Sequence, residues 1–208
     1  MKAIACVLCG ASGPGAYRRA RTGATFCAAH RWCRHCRTAH EAEPCAEERG
    51  AVTSQAAAAA GQRQVLQDLA GLGVRLPLVP LTLVALMTGP EDGRCIASAR
   101  GRDRSARIEV QAGLGPTRFG HVVAHESAHA LLHLHGGPAG RPDVEEGFCE
   151  LLAVVWLTSR TTSRELLADV WANPHPAYGE QMRRLVGIAR QDGVPAVIGR
   201  VLATGEPE

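Results

Sequence analysis

The amino-acid sequence predicts an α+β fold, and three patterns along the chain support this prediction. Six of the eight cysteines lie within the first 45 residues, which indicates a small metal-binding segment with little core of its own. Short runs bounded by turn residues between positions 78 and 111 predict a small β-sheet. After residue 115, apolar residues recur with the helical period, so we expect the carboxyl-terminal part to be helical.

Composition and charge exclude several classes of protein. A net charge of +3 on 208 residues is too small to demand a nucleic-acid partner. No apolar run approaches the roughly 20 residues that span a bilayer, and the first ten residues lack the apolar run of a signal peptide. We therefore expect a cytoplasmic protein with reduced cysteines and no membrane contact.

The cysteines of the first 45 residues occur in pairs at tight spacings. Cys-x-x-Cys occurs at "CVLC" and "CRHC", and Cys-x-x-His occurs at "CAAH". Such a pair places two ligands on one turn, and two pairs complete the tetrahedron that structural zinc prefers. The order along the chain predicts two structural zinc ions, one held by Cys6, Cys9, Cys27 and His30 and the other by Cys33, Cys36, His40 and Cys45. An interleaved assignment of the same eight ligands is the alternative.

The partner of this cysteine-rich segment is less clear from the sequence. Arginines alternate with Tyr17, Phe26 and Trp32, as they do in segments that bind nucleic acid. The glutamates that follow from Glu41 onwards would repel phosphates. We therefore expect a solvated surface or a contact with another protein rather than with nucleic acid.

The residues between the cysteines and the central motif predict one helix and three strands. Residues 46–73 are rich in alanine, with leucines at helical spacing, and predict a helix that ends near Gly71. "LPLVPLTLVALM" predicts a strand from about Leu78 to Met87. "GRCIASAR" and "SARIEVQA" predict two further strands, separated by a charged turn.

The stretch "HVVAHESAHALLHLHGG" predicts a buried helix that carries a metal-binding motif. Its apolar residues surround the helix on nearly all sides, and Gly136 and Gly137 provide a stop. His125 and His129 are four residues apart and therefore lie one above the other on one helical face. His-Glu-x-x-His in this setting predicts that both imidazoles bind one Zn²⁺, with Glu126 beside them to take a proton from water.

The third ligand of this catalytic zinc has several candidates. His135 stands where some peptidases with this motif place a third histidine, but those enzymes have a glycine where this chain has Leu132. On a continuous helix His135 lies ~9 Å along the axis beyond His129, too far to share the ion. His133 also lies about one turn too far and is predicted to sit near the site without binding the ion.

The segment "RPDVEEGFCELLAVVWL" predicts a second apolar helix with glutamates near its start. A buried glutamate one helix away completes the two-histidine site in the gluzincin class of metallopeptidases. Glu146 is the predicted third ligand, since "EGF" resembles the ligand segment of zinc aminopeptidases. Glu150, one turn later, is an alternative ligand or a partner that holds a ligand imidazole. A capping box, in which Asp143 and Glu146 only begin the helix, is the alternative without metal.

Three blocks of the sequence together resemble one family. "FGHVVAHESAHALLHLHG", "PDVEEGFCELLAVVWL" and "YGEQMRRLVGIARQDGVPAVIGRVLATG" are similar to the peptidase domain of the plant organ-size regulators. Those proteins are LIM-domain zinc peptidases that ubiquitin attachment activates, and bacteria carry shorter relatives that this chain resembles. The resemblance covers about residues 75–205. The spacing from Cys27 to Cys36 matches a LIM domain only in part, so the amino-terminal segment is LIM-like at most.

This resemblance implies a zincin-like, minimal gluzincin peptidase domain at residues 75–208. A connecting helix at residues 47–74 and a two-zinc, LIM-like or treble-clef-like segment at residues 1–46 precede it. The resemblance supports the two histidines of the motif and Glu146 as ligands, with Glu126 as the base. It also draws attention to Tyr178. This residue or His175 is a candidate to hydrogen-bond the oxyanion, and a loop tyrosine that only packs on the last helices is the alternative.

The predicted function is zinc-dependent hydrolysis of peptide bonds in intracellular proteins or peptides. A zinc-activated water attacks the peptide carbonyl after Glu126 has taken its proton. The strand before the active helix, around Ile108 to Gln111, is expected to offer a free edge to an extended peptide. The alternative is a zinc-finger regulator that contacts protein or nucleic acid and carries an inactive peptidase-like domain.

Overall fold

The computed structural model describes residues 5–12, 17–19, 25–32, 39–40, 45–87, 91–100, 103–137, 141–160 and 164–205. These residues form small sheets and several helices, which confirms the predicted α+β class. Two short antiparallel strand pairs come first. They are β1 (Tyr17–Arg19) with β2 (Thr25–Cys27), and β3 (Arg31–Trp32) with β4 (Ala39–His40). Strands of two or three residues bury little apolar surface, so this segment needs another source of stability.

Two helices follow, α1 (Ala46–Arg49) and α2 (Gln55–Gly71). The hydroxyl of Ser54 accepts a hydrogen bond from the backbone N–H of Ala57 at 3.2 Å and begins α2, as serine commonly does at this position. Val65 and Leu69 of α2 belong to the same apolar core as the sheet and the later helices. The predicted helix is therefore present over residues 55–71, where it packs into the core, whereas residues 50–54 interrupt the predicted range of 47–74.

A three-stranded sheet comes next, made of β5 (Leu81–Val84), β6 (Gly93–Arg100) and β7 (Asp103–Gln111). Its spatial order is β5–β7–β6, with β7 parallel to β5 and antiparallel to β6. Alternate residues of β7, Ala106, Ile108 and Val110, are buried, because one face of the sheet covers the core.

The central place of β7 corrects the expectation that this strand offers a free edge near Ile108. Strand β7 pairs with β6 along one edge and with β5 along the other, so both of its edges are paired. The free edges of the sheet belong to β5 and β6. Which strand lies at an edge depends on the order of pairing, which hydrophobic alternation does not encode.

Helix α2 covers the free edge of β5. The side chain of Gln55 donates to the carbonyl of Leu81 at 2.6 Å and accepts from the backbone N–H of Leu83 at 2.9 Å. Gln62, which is buried, donates to the carbonyl of Val79 at 2.9 Å. These amides satisfy the backbone groups that a further strand would otherwise bind, which leaves β6 as the accessible edge.

Two long helices, α3 (Pro116–His135) and α4 (Pro142–Ser159), form the centre of the molecule. Helix α3 ends at Gly136, whose φ of 74° is left-handed, as the glycine pair in the sequence predicts. The two helices approach closely at Gly120, where a Cβ atom would lie 2.1 Å from the Trp156 ring. Helix α4 begins at Pro142 with Arg141 as its N-cap residue and no side-chain cap, so the capping box on Asp143 is not formed.

The carboxyl-terminal part is helical, as predicted. Helix α5 (Arg164–Trp171) leads to a π-helical segment (Pro176–Glu180), then α6 (Gln181–Asp192) and α7 (Val194–Thr204). Helix α6 buries Met182 and Leu185 and lies against α4 and the π-helical segment. None of the helices in the described ranges combines the length and hydropathy of a membrane span.

Candidate metal centre

Three side chains from α3 and α4 converge on one point. The Nε2 atoms of His125 and His129 are 3.2 Å apart, and the Oε2 atom of Glu146 lies 3.2 Å from the first and 3.4 Å from the second. Ligand atoms bound tetrahedrally at roughly 2.0–2.1 Å lie about 3.3 Å from one another. The three atoms therefore have the mutual spacing that a small tetrahedral ion requires, and they form one of two candidate metal groups among the described residues.

Two further glutamates of α4 hold the opposite nitrogens of these imidazoles. The Nδ1–H of His125 donates to Oε2 of Glu150 at 2.9 Å, and the Nδ1–H of His129 donates to Oε1 of Glu145 at 3.0 Å. A hydrogen on Nδ1 leaves the lone pair of a neutral imidazole on Nε2, which is the atom that faces the centre. Metal-binding histidines are commonly held in this way.

The Glu150 carboxylate also accepts from a third imidazole. The Nε2–H of His121 donates to its other oxygen, Oε1, at 3.0 Å. Burial by itself raises the pKa of Glu150, but the charges and hydrogen bonds of His121 and His125 outweigh burial and hold the pKa well below its usual range. An ionised carboxylate only accepts hydrogen bonds, so both nitrogens that face it carry hydrogens.

The centre requires positive charge. Burial lowers the pKa of His125, but the hydrogen bonds of Glu146 and Glu150 outweigh it and raise this pKa to about 9. A proton on Nε2 of His125 can form a hydrogen bond to only one of the other two converging atoms. A metal ion can contact all three atoms at once. Burial raises the pKa of Glu146, but hydrogen bonds from His125 and His129 outweigh burial and hold this pKa well below its usual range. The donor set therefore fits a divalent cation.

Glu126 lies beside this group without belonging to it. Its side chain is buried and lines the same cavity as the two histidines, and no hydrogen bond to another described residue engages its carboxylate. Burial raises the pKa of Glu126, although the neighbouring His125 and His129 oppose that effect. The motif therefore supplies one carboxylate near the metal group that remains available for chemistry.

A cavity of about 650 Å³ contains the metal group. Leu166 and Val170 of α5 contribute apolar surface to its lining, and residues of β6 line it as well. The backbone N–H of Ile108 in β7 points towards β5, since it donates to the carbonyl of Pro80. Cys95 of β6 lies opposite Ile108. The two residues therefore form a non-hydrogen-bonded pair, and the backbone N–H and C=O of Cys95 point away from β7. The residues of β6 with this orientation that line the cavity are Gly93, Cys95 and Ala97.

Tyr178 lines the cavity and stacks on His125, with ring centroids 6.1 Å apart and an interplanar angle of 17°. Burial and the neighbouring Glu146 carboxylate raise the pKa of Tyr178 to about 12, so the phenol keeps its hydrogen at neutral pH. His175 is exposed and contacts the Tyr178 ring from the side, with centroids 5.1 Å apart. Of the two candidates for the oxyanion, the structure brings Tyr178 to the metal group.

The other two histidines of α3 bind backbone carbonyls instead. His133 Nε2–H donates to the carbonyl of Ser98 in β6 at 3.0 Å, and His135 Nδ1–H donates to the carbonyl of Leu131 at 3.0 Å. The helix continues to His135, as the absence of a glycine at Leu132 predicts. Neither histidine belongs to the metal group of the described residues.

The amino-terminal segment carries the other candidate metal group. Ligand atoms of Cys6, Cys9, Cys27 and His30 lie within 4.8 Å of one another. The sulfurs of Cys9 and Cys27 are 3.7 Å apart, close to the about 3.8 Å expected for thiolates bound tetrahedrally at roughly 2.3 Å. Nε2 of His30 is buried and has no hydrogen-bond partner among the described residues. Burial alone would raise the pKa of Cys6, but backbone N–H groups directed at its sulfur lower it to about 6.

The second predicted structural site falls largely on residues that are not described. Cys33 and Cys36 lie outside the described residues, and of His40 the structure describes only the backbone. Cys45 is buried, and its sulfur accepts from the backbone N–H of Glu48 at 3.3 Å at the start of α1. This second site remains a prediction.

The roles of Glu145 and His121 in the centre were not predicted from the sequence. His121 stands four residues before His125, the same spacing that joins His125 to His129, so its helical face could have been recognised. Glu145 lies one residue before Glu146 and about 100° around the helix from it. Its contact with His129 depends on how α4 is rotated against α3.

The part of the chain that carries this centre matches a known family. Residues 97–199 match the sequence pattern of the DA1-like family, described as Protein DA1. Protein DA1-related 1 of Arabidopsis thaliana is 47% identical over 69 residues, which are 31% of this chain and 12% of that protein. Protein DA1-related 7 of Arabidopsis thaliana is 36% identical over 83 residues, which are 39% of this chain and 13% of that protein.

A further relative, Protein DA1-related 3 of Arabidopsis thaliana, is 30% identical over 89 residues, which are 40% of this chain and 20% of that protein. The chain thus spans at most 20% of the length of these curated relatives. No solved structure matches it. Over residues 97–199, which include α3, α4 and the metal group between them, the chain is similar to the DA1-like family, and this supports the family resemblance of its motifs.

Proposed function

We propose that this chain is a zinc-dependent metallopeptidase with a zincin-like domain of the gluzincin type. The observation that carries the proposal is the mutual spacing of 3.2–3.4 Å among the ligand atoms of His125, His129 and Glu146. The unengaged carboxylate of Glu126 beside them supports catalysis rather than a purely structural site. The resemblance of these segments to the peptidase domain of the organ-size regulators supports the same chemistry.

Each residue of the centre has a distinct part in the proposed reaction. Zn²⁺ bound by the three ligands would polarise a peptide carbonyl and lower the pKa of water. The carboxylate of Glu126 takes a proton from the attacking water and returns it to the leaving amine. Burial raises the pKa of Glu126, which makes its carboxylate a stronger base than that of an exposed glutamate. The phenol of Tyr178 donates its hydrogen bond to the oxyanion of the substrate.

The proposed substrate is an extended peptide or an unfolded segment of a protein. The backbone N–H and C=O groups of Gly93, Cys95 and Ala97 in the edge strand β6 point away from β7, and all three residues line the cavity. An extended peptide can add to such an edge as a further strand. The apolar side chains of Leu166 and Val170 can receive a side chain of that peptide.

The amino-terminal group of Cys6, Cys9, Cys27 and His30 is proposed to hold a structural zinc ion. Four protein ligands leave no position for a substrate, which is typical of structural sites. The short strands around these residues bury little apolar surface, so the ion would supply much of their stability. A LIM-like segment of this kind is proposed to contact a protein partner or the substrate.

The test is the variant Glu126→Gln, which preserves the size of the side chain and removes the base. We expect cleavage of casein or of an unstructured peptide library to fall by about 100-fold or more, because general-base catalysis typically contributes that much. Zinc content, measured on the same purified protein, should stay unchanged. Loss of zinc together with activity would contradict the role of Glu126, and a zinc-loaded wild-type protein that cleaves nothing would favour the inactive regulator.

A further inference from the structure

His121 occupies an unusual place for a histidine of a core helix. It lies one turn before His125 on α3, its exposed fraction is 5%, and its Nε2–H donates to Oε1 of Glu150 at 3.0 Å. The other oxygen of Glu150 accepts from Nδ1–H of His125 at 2.9 Å. One buried carboxylate thus bridges His121 and a ligand of the metal group.

The two carboxylates that hold the metal-binding imidazoles have different surroundings. The side chain of Glu145, which holds His129, is 39% exposed, so water can satisfy its second oxygen. The side chain of Glu150, which holds His125, is 8% exposed. Among the described residues, two imidazoles donate to Glu150, one to each oxygen. A buried carboxylate without a donor would be strongly destabilised.

We propose that His121 is a positioning residue of the metal centre. By donating to Oε1 it fixes the Glu150 carboxylate, and through Glu150 it fixes the orientation of the His125 ring and the tautomer that turns Nε2 towards the ion. This inference rests on the metal-binding part of the proposed function and is independent of peptide hydrolysis. A histidine that merely fills space in the core would affect folding but not the affinity for the ion.

The experiment compares three substitutions of His121 in the full chain. His121→Gln keeps an amide N–H close to the position of Nε2, so it can still donate to Glu150. His121→Asn is equally polar, but its amide stops short of Glu150, and His121→Leu has no donor. Ser127→Ala is the matched control, since Ser127 is fully buried on the same helix and its hydroxyl has no partner among the described residues.

Zinc affinity is measured by competition with a chromophoric chelator, and the ligand geometry by the visible spectrum of the Co²⁺-substituted protein. We expect His121→Leu and His121→Asn to weaken zinc binding by about 10–100-fold, the loss that residues supporting a metal ligand typically cause. Both variants should also change the Co²⁺ spectrum. His121→Gln and Ser127→Ala should remain close to the wild type in affinity and spectrum.

Several outcomes would overturn the inference. Equal affinities for the Gln and Asn variants would show that the donor to Glu150 does not matter. Reduced stability of the metal-free Leu and Asn variants with unchanged zinc affinity would assign His121 to folding alone. If both variants fail to fold, a folded His121→Gln protein whose zinc affinity falls by about 10–100-fold would contradict the inference, because this variant keeps the donor to Glu150. A wild-type protein that binds zinc but cleaves no peptide would remove the peptidase proposal and leave this comparison intact.

Discussion

A Cβ atom at Gly93 would lie 2.3 Å from Cγ1 of Val122, so strand β6 meets helix α3 where no side chain fits. The same Cβ would lie 3.3 Å from Cγ of Glu126. The missing side chain therefore sets how closely the open edge of the sheet approaches the proposed base. In the proposed reaction, the distance between the substrate backbone and the carboxylate of Glu126 would depend on this contact.

Gly93→Ala is predicted to destabilise the protein and to reduce cleavage. Overpacking a buried contact typically costs about 1–3 kcal/mol, and relief of the clash would move β6 away from α3. Urea denaturation and cleavage rates on the same protein check both effects. Gly71→Ala is the control, because a Cβ there contacts nothing within 4 Å. If Gly93→Ala cleaves at the wild-type rate, the approach of β6 does not govern activity.

Glu146→Ala is predicted to lose the catalytic zinc, whereas Glu145→Ala should only weaken its binding. Glu146 supplies a converging ligand atom, while Glu145 holds the far side of His129. We expect Glu145→Ala to weaken zinc binding by about 10–100-fold and Glu146→Ala by more than that. Metal content after dialysis against graded chelator measures the difference. If Glu145→Ala and Glu146→Ala lose similar amounts of zinc, the assignment of Glu146 as a ligand is contradicted.

Tyr178→Phe is predicted to lower kcat with little change in KM. Phenylalanine keeps the ring that stacks on His125 and removes only the hydroxyl. Loss of one oxyanion donor typically lowers kcat by about 100–1000-fold. Steady-state kinetics on a fluorogenic peptide measure both constants, with His175→Ala as the comparison. If His175→Ala lowers kcat more than Tyr178→Phe does, His175 rather than Tyr178 is the donor to the oxyanion.

Asp68→Asn is predicted to lower the unfolding free energy at neutral pH. Asp68 joins α2 to the end of α4, since it accepts from Trp156 Nε1–H at 3.1 Å and from the guanidinium of Arg160. Burial alone would raise the pKa of Asp68, but hydrogen bonds from Gln64, Arg160 and Trp156 outweigh burial and lower it. Because Arg160 is 39% exposed, solvent weakens the pair, and we expect a loss of about 1 kcal/mol.

The sign of the pH dependence follows from the lowered pKa of Asp68. The folded state holds the proton less tightly than the unfolded state, so the stabilisation is present above the unfolded pKa and disappears as pH falls through the folded pKa. Urea denaturation of wild type and Asp68→Asn along a pH series should therefore show a difference that shrinks in acid. A difference independent of pH would mean that the charge of Asp68 contributes nothing.

Several elements could be predicted because their signals are local. Helix α3 runs from Pro116 to His135 and is capped by Gly136, since its apolar period and its glycine stop act within one or two turns of chain. The order of the strands could not be predicted in this way. The alternation of β7 indicates a strand with a buried face. Its place between β5 and β6 follows from pairing with β6 residues 3 to 17 positions away and with β5 residues 27 positions away.

The amino-acid sequence by itself determined which residue types can bind a metal and placed His125 and His129 on one face, because four residues make about one helical turn. It also placed three glutamates near the start of α4. Tertiary structure alone decided that Glu146 faces both imidazoles, that Glu145 and Glu150 hold their far sides, and that His121 joins them. Those contacts depend on the rotation of α4 against α3, which packing such as that of Gly120 on Trp156 sets between residues far apart in the chain.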